Sequence, residues 1–259
     1  KLWNVNTPYL YTARVKLLDG DQILDEESTT FGIRTLSLDA VDGLQINGEV
    51  VKLRGACIHH DNGIIGAATI DRAEERRVQI LKEAGFNALR SSHHPMSKSM
   101  LAACDRIGML VMDESFDMWT RSKTPYDYAL NFPLWWEKDI EAMVNKDYNH
   151  PSVILYSIGN EIQETGTSNG AAWGRKLAEK IRELDNSRYI LNSINGMLSV
   201  MRQVIEMSEG RMDGNFNANL GGDAATAMKR VVTSSLVTNA TEESFAAVDI
   251  AGLNYGEIG

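Results

Sequence analysis

The chain has 259 residues, 43% of them hydrophobic and 24% charged, a composition that predicts a globular protein with a sizeable buried core. Its formal net charge of −9 argues against a nucleic acid or an anionic membrane as partner, since both attract clustered lysine and arginine. The sequence has no apolar run that could span a bilayer, and its two cysteines do not suggest a disulfide framework.

The first part of the chain has the pattern of β-strands. Residues 10–18 alternate loosely between apolar and polar, and the Asp-Gly-Asp that follows predicts a turn. After a polar connection, a second strand is predicted at 31–38. An Asn-Gly pair between the apolar runs of 44–53 predicts a hairpin. Because so few strands cannot bury two faces, residues 1–39 are interpreted as the last part of a β-sandwich.

Beyond residue 50 the pattern alternates between strands and helices. Asp71 and Glu74 are expected to form a capping box at the start of the first helix, and Gly85 to end it. The predicted strands are 50–59, 88–92, 110–114, 153–159, 189–194 and 248–255; the predicted helices are 73–85, 98–108, 134–148 and 171–184, with further helical sequence and a Gly- and Asn-rich loop within 198–247.

Six β units, five of them followed by helical sequence, predict an α/β protein with a parallel sheet and right-handed crossovers. A doubly wound open sheet and a (β/α)8 TIM barrel both fit that order. No Gly-rich phosphate-binding loop follows the first strand, which argues against a nucleotide-binding open sheet. Polar residues follow nearly every strand, and in a barrel these ends surround one site. The sequence therefore predicts a barrel that is incomplete, with about six of its eight strands.

The strand at 153–159 ends on an amide and a carboxylate, Asn160 and Glu161. Its apolar neighbours are expected to raise the pKa of Glu161 by desolvation, which suits general-acid chemistry on a leaving oxygen. Asn160 can hydrogen-bond a substrate hydroxyl while staying neutral. The alternative, that the pair only caps the next loop, is disfavoured by the polar groups at the other strand ends.

Four of the five histidines form adjacent pairs, at 59–60 and 93–94. Neighbours in an extended chain point to opposite sides, so each pair is expected to offer one histidine to the site. Ordinary hydrogen-bonded histidines, contacts to substrate hydroxyls and a metal site are the alternatives, although the spacing fits no tight metal-ligand motif. The conceivable metal ligands are His59, His93, Asp113 and Glu114.

Arg90 lies on a short predicted strand, where a buried arginine needs a carboxylate partner. It is expected to orient Glu161 or another acid at the strand ends, or only to join two strands. Among the tryptophans, Trp119 lies in a loop that leaves a strand and is the predicted stacking residue for a sugar face. Core packing is the equal alternative for Trp135 and Trp136.

These stretches together resemble the family 2 glycoside hydrolases, the group of β-galactosidases, β-glucuronidases and β-mannosidases. The similarity runs over essentially the whole chain, and its NHPS…GNE and RSSHHP elements are highly specific. The matching stretches are FGIR at 31–34, INGEVVKLRG at 46–55, HHD at 59–61, GFNALRSSHHP at 85–95, DRIGMLVMDES at 105–115, NHPSVILYSIGNE at 149–161 and VDIAGLNYGE at 248–257.

The resemblance implies the last part of an immunoglobulin-like sandwich at 1–39 and a (β/α)8 barrel catalytic domain, incomplete at its C-terminus, at 40–259. It implies hydrolysis of terminal β-D-galactosides with retention of configuration. Glu161 matches the general acid/base. The substrate-binding positions matched are Asn160 on the sugar 2-hydroxyl, His59 and His93 as substrate histidines, Arg90 beside the acids and Tyr255 near the nucleophile.

Two departures from the family pattern matter. In the best-known β-galactosidases a Glu-x-His holds a magnesium ion near the acid/base, whereas the matching positions here are Asp117-Met118-Trp119. We therefore expect no metal and no cofactor. The family's nucleophile is a glutamate at the end of a seventh strand, and Glu257 follows the sixth strand too closely, because a seventh strand needs a crossover first. The nucleophile is expected outside this chain, which alone is expected to be inactive and to expose apolar surface.

The main prediction is thus a retaining β-glycosidase that acts on a carbohydrate substrate, with periplasmic or extracellular bacterial use fitting the reaction. No nucleic acid or membrane partner is expected, and association into homo-oligomers is left open. The alternatives are a β-glucuronidase or β-mannosidase of the same family, a non-catalytic carbohydrate-binding protein, and a metal-dependent hydrolase that uses the histidine pairs.

Overall fold

The first strands form an exposed hairpin. In the computed structural model, which describes residues 1–207 and 229–255, β1 (Tyr11–Asp19) pairs antiparallel with β2 (Gln22–Phe31). The predicted turn between them is confirmed, but β2 lies where the sequence predicted a polar connection. Nearly every side chain of β2 is exposed, and its sequence does not alternate between apolar and polar residues. β2 is a strand because its backbone pairs with that of β1.

A separate three-stranded sheet contains the predicted Asn-Gly hairpin. It consists of β3 (Leu36–Asp39), β4 (Gly43–Ile46) and β5 (Glu49–Val50). Asn47 and Gly48, between β4 and β5, have φ angles of 55° and 81°, and a two-residue turn with both angles positive matches the twist of paired strands. This prediction is confirmed.

The remaining strands form one six-stranded sheet whose order in space is their order in the chain. β6, β7 and β8 pair in parallel, as do β10 and β11, and α-helical chain links each strand to the next. This order is that of the predicted barrel, because a doubly wound sheet reverses its strand order at a switch point. The strands are β6 (Gly55–His59), β7 (Ala88–Ser92), β8 (Leu110–Glu114), β9 (Val153–Asn160), β10 (Tyr189–Asn195) and β11 (Ile250–Asn254).

The helices begin and end close to the predicted positions, with one error in capping. They are α1 (Asp71–Glu83), α2 (Lys98–Ile107), α3 (Phe132–Asp147), α4 (Ser168–Leu184), α5 (Gly196–Met207) and α6 (Ser235–Phe245). Gly85, with a φ of 88°, follows the end of α1 as predicted. The capping box is wrong, because the Asp71 carboxylate accepts from Ser99 Oγ and the buried Glu74 accepts from Asn62 Nδ2. None of the helices in the described ranges combines the length and the apolar character needed to span a bilayer.

The chain folds into two compact units. The first unit comprises Lys1–Asp113 and Ala142–Tyr156, and the second comprises Glu114–Glu141 and Ser157–Gly259. The domain boundary predicted after residue 39 falls in the turn between β3 and β4, and it stays a prediction. The predicted Gly- and Asn-rich loop and Glu257 lie outside the described residues.

Candidate functional site

In the second unit, the end of β9 presents Asn160 and Glu161. All eight residues of β9 are buried, as expected of an internal strand of a parallel sheet. At Glu161 the chain turns sharply, with a φ of 49°, and the Glu161 N–H donates to the Ser193 carbonyl of β10 at 2.7 Å. A non-glycine residue at positive φ carries strain, and such residues cluster at functional sites. This conformation marks Glu161 as a functional candidate.

A neutral amide holds both side chains at this strand end. Asn254 Nδ2, at the end of β11, donates to Glu161 Oε1 at 3.1 Å and to Asn160 Oδ1 at 3.0 Å. The sequence prediction selected the next residue, Tyr255, which is 65% exposed and has a φ of 56°. The sequence placed Asn254 among the polar residues at the strand ends but gave it no role of its own.

A carboxylate and a lysine lie against the other side of Asn160. Asp117 Oδ1 accepts from Asn160 Nδ2 at 2.8 Å and from Lys123 Nζ at 2.6 Å. Lys123 Nζ also donates to the Asn160 carbonyl at 2.8 Å. The Asn160 amide therefore donates to Asp117 and accepts from Asn254, which fixes its orientation. Lys123 was not predicted, because a lysine in a polar loop is usually solvated.

The predicted sugar-stacking role of Trp119 is corrected by the structure. Its ring has no exposed surface and packs in the core 6.5 Å from the ring centroid of Phe132. The indole Nε1 donates to the Ile158 carbonyl of β9 at 3.0 Å. A Cβ at Gly159 would lie 3.2 Å from Trp119 Nε1 and 2.6 Å from the Ile162 side chain. Glycine thus lets the indole approach the strand, and Trp119 is a core residue.

Glu114 lies in the interior of the second unit, whereas Trp135 and Trp136 lie on α3. Glu114 is fully buried, and its Oε2 accepts from Ser157 Oγ at 2.7 Å and from Ser193 Oγ at 3.3 Å. Trp135 is exposed on α3, and Trp136 packs edge-on against Trp173. A sugar-stacking role for either ring stays a prediction.

In the first unit, each histidine of one adjacent pair contacts a histidine of the other pair. The His59 and His93 rings are in edge-to-face contact, with centroids 5.1 Å apart, and the His60 and His94 centroids are 4.2 Å apart. Arg90, in the middle of β7, is half-buried with Nη1 3.9 Å from Cys57 Sγ. The carboxylate partner predicted for Arg90 stays a prediction, as does substrate binding by His59 and His93.

A buried ion-pair cluster lies at the end of β8 in the first unit. Asp113 has no exposed surface; its Oδ1 accepts from the Met96 N–H at 2.7 Å and its Oδ2 from Lys146 Nζ at 3.1 Å. Lys146 Nζ also donates to Asp147. Burial opposes the lysine's charge, but Asp113 and Asp147 outweigh it and raise the pKa of Lys146. Burial, followed by the charge of Asp113, raises the pKa of Asp147 well above its usual value.

This ion pair bears on the conceivable metal site. Lys146 already neutralises the Asp113 carboxylate that such a site would use. Among residues 1–207 and 229–255, no group of three or more histidine, cysteine, aspartate or glutamate side chains could hold a metal ion. The described side chains therefore lend no support to the metal-dependent alternative.

His60 is expected to make stability fall on acidification. Its Nδ1 is buried and makes no hydrogen bond to a described residue, and burial, then the charge of His94, lower the pKa of His60 to about 4 from 6.5. Between these two pH values the unfolded chain binds a proton that the folded chain does not. The contribution of His60 to the free energy of unfolding is therefore fully present above pH 6.5. It is lost as the pH falls towards 4, by at most about 1.4 kcal/mol per pH unit.

Urea unfolding between pH 7 and pH 4 checks this expectation. The His60→Gln variant should lose less stability over that range than the parent protein, because glutamine binds no proton. Equal losses in the two proteins would contradict the assignment.

Comparisons with known proteins agree on one family. The family described as Glycosyl hydrolases family 2, TIM barrel domain, matches residues 40–230, and Glycosyl hydrolases family 2 matches residues 1–34. The chain is 45% identical to Beta-galactosidase BoGH2A of Bacteroides ovatus over 192 residues, which cover 74% of this chain and 22% of the relative. It is 40% identical to a putative beta-glucuronidase of Formosa agariphila over 178 residues, covering 68% of this chain and 17% of the relative.

A solved structure shares the fold over nearly the whole chain. The crystal structure of a glycosyl hydrolase family 2 member from Bacteroides cellulosilyticus superposes with a TM-score of 0.79 at 40% identity, covering 98% of this chain and 28% of that chain. The chain thus spans less than a third of the length of each of these relatives. With the family match extending over most of the chain and the strand order that of a barrel, this protein belongs to glycosyl hydrolase family 2, and residues 40–230 match the family's TIM barrel domain.

Proposed function

We propose that Glu161 is the general acid/base of a retaining glycosidase that hydrolyses terminal β-D-galactosides. The observation that carries the proposal is the placement of Glu161 at the end of β9, in a strained conformation and with its carboxyl group hydrogen-bonded by the neutral amide of Asn254. Membership in a glycosidase family and the similarity to a β-galactosidase support the reaction class and the sugar.

The proposed reaction has two steps. In the first, Glu161 donates its proton to the glycosidic oxygen as the bond to the anomeric carbon breaks, and a second carboxylate forms a bond to that carbon. In the second, the ionised Glu161 takes a proton from the water that attacks the anomeric carbon, and the second carboxylate leaves. Asn160, with its amide held between Asp117 and Asn254, is proposed to hydrogen-bond the sugar 2-hydroxyl.

The remaining substrate contacts are also proposals. His59, His93, Arg90 and Tyr255 are proposed to bind substrate on the basis of the resemblance, and no cofactor is proposed. The nucleophile is proposed to be a glutamate at the end of the family's seventh strand. Glu114 is an unsuitable nucleophile because it is buried and accepts hydrogen bonds from two serines.

Hydrolysis assays on three sugars test the proposal. A polypeptide that continues through the seventh and eighth strands of the family's barrel is expected to cleave an aryl β-galactoside with a kcat/KM about tenfold or more above those for the matched β-glucuronide and β-mannoside. Residues 1–259 alone serve as the comparison and are expected to cleave none. Preference for the glucuronide, the activity named for the Formosa agariphila relative, would correct the sugar. Binding without cleavage of any substrate would instead establish a carbohydrate-binding protein.

A further inference from the structure

Two oxygen atoms beside the candidate acid/base Glu161, those of the Asp117 carboxylate and the Asn160 carbonyl, are already bound by the ammonium group of Lys123. The resemblance places Asp117 and Trp119 where some relatives have a magnesium-binding Glu-x-His. The residues present do not fit such a metal. The indole nitrogen of Trp119 is a donor only, because its lone pair belongs to the aromatic system, and its N–H donates to the Ile158 carbonyl. Asp117 Oδ1 is bound by Lys123 Nζ at 2.6 Å and by Asn160 Nδ2 at 2.8 Å.

We infer that the ammonium group of Lys123 is the built-in cation of this site and that Lys123 is a positioning residue for Glu161. It joins the Asp117 carboxylate to the Asn160 carbonyl, which belongs to the peptide group that leads into Glu161. Hydrogen bonds to a charged donor are roughly twice as strong as neutral ones. The Lys123 side chain is only 20% exposed, so water screens the pair less than it would on an open surface.

The peptide group between Asn160 and Glu161 is held at both ends. Its carbonyl accepts from Lys123 Nζ at 2.8 Å, and its N–H donates to the Ser193 carbonyl at 2.7 Å. These two bonds fix the plane of the peptide that leads into Glu161, which is one of the two planes between which its positive φ is measured. Lys123 thereby contributes to the direction in which the Glu161 side chain leaves the backbone, without needing to touch a substrate.

Lys123 is itself held in place by its loop. Asp127 Oδ2 accepts from the backbone N–H of Lys123 at 2.6 Å and of Thr124 at 2.9 Å, and Asp127 Oδ1 accepts from the Ala129 N–H at 3.1 Å. Glu164 Oε1 accepts from Thr120 and Arg121 at the start of the same loop. The ammonium group is thus presented by an ordered backbone, as expected of a group that positions another.

The test compares Lys123→Met with Lys123→Arg and with the control Lys138→Met. Lys138 is an exposed lysine whose Nζ lies 4.8 Å from the Trp135 ring centroid, so its replacement also removes a positive charge and a local contact. Two readouts need no activity: the exchange rate of the Glu161 amide hydrogen and the melting temperature during a titration with Mg²⁺. The third readout, kcat and KM for an aryl β-galactoside, rests on the proposed function.

Lys123→Met is expected to raise exchange at the Glu161 amide by about tenfold or more, and Lys138→Met to leave it unchanged. Mg²⁺ is expected to leave the melting temperature of the parent protein unchanged. In the extended polypeptide, kcat should fall about tenfold or more in Lys123→Met with little change in KM, and Lys123→Arg should restore part of it.

Each contrary outcome has a distinct meaning. Stabilisation of the parent protein by Mg²⁺, or equal amide exchange in Lys123→Met and Lys138→Met, would overturn the inference. If no variant hydrolyses any glycoside while amide exchange and the Mg²⁺ titration give the expected results, the proposed function fails and the positioning role of Lys123 stands.

Discussion

In the polypeptide that continues through the seventh and eighth strands of the family's barrel, replacement of Glu161 by glutamine is expected to slow hydrolysis of a β-galactoside with a basic leaving group by about 10²–10⁴-fold, the range for loss of a general acid. A galactoside with an acidic phenol as leaving group should be affected far less in the first step, because that phenolate departs without a proton. Its second step still needs a base, so the glycosyl-enzyme should accumulate and KM should fall. Steady-state and burst kinetics on a series of aryl galactosides measure both effects.

The matched control for this prediction is Glu164→Gln. Glu164 is a second carboxylate in the segment after β9; it is buried and accepts hydrogen bonds from the backbone of Thr120 and Arg121. Its replacement should slow hydrolysis of the poor leaving group far less than Glu161→Gln does, because the Glu164 carboxylate transfers no proton. If Glu161→Gln reduces hydrolysis of good and poor leaving groups to the same degree, Glu161 is not the proton donor.

Replacement of Lys146 by methionine is expected to lower the free energy of unfolding by about 3–5 kcal/mol, the cost of removing one partner from a buried ion pair. Neither Asp113 nor Asp147 has any exposed surface, so water cannot replace the lost ammonium group. Urea unfolding at pH 7 provides the measurement. The double variant Lys146→Met/Asp113→Asn should regain part of the loss, because the uncompensated charge of Asp113 is then absent as well.

Lys180→Met is the control for Lys146→Met. Lys180 also lies between two carboxylates, those of Glu137 and Glu141, but both are exposed and are readily hydrated once the lysine is gone. Its replacement should therefore cost far less stability. Equal losses of stability in the two lysine variants would show that burial of the Asp113 cluster does not determine how much the cluster stabilises the fold.

The sequence predicted those features that depend on residues close to one another in the chain. The Asn47-Gly48 turn needs two positive φ angles, and Gly85 ends α1 in the same way, so residue type alone indicates both. The apolar run before Asn160 and Glu161 identified β9 and placed these two residues at its end. The fold class followed from the regular alternation of such runs with amphipathic helices.

Other features depend on interactions between distant residues, and the sequence did not predict them. β2 is a strand because it pairs with β1, and its exposed side chains show no period. Trp119 is buried because a glycine in β9 admits its indole, which the composition of its own loop does not indicate. Lys123 has the surroundings of a solvated lysine until the fold brings it to Asn160, 37 residues away in the sequence.

The close approach of Trp119 to Gly159 couples the hydrophobic core to the candidate acid/base. The Gly159 carbonyl carbon is bonded to Asn160, so a side chain at position 159 that displaced the indole would also shift the peptide group leading into Glu161. Core packing and the alignment of the Glu161 carboxyl group are therefore coupled in this unit. Substitutions intended to alter the candidate site should leave Trp119, Gly159 and Ile162 unchanged, because these residues support the backbone that carries Glu161.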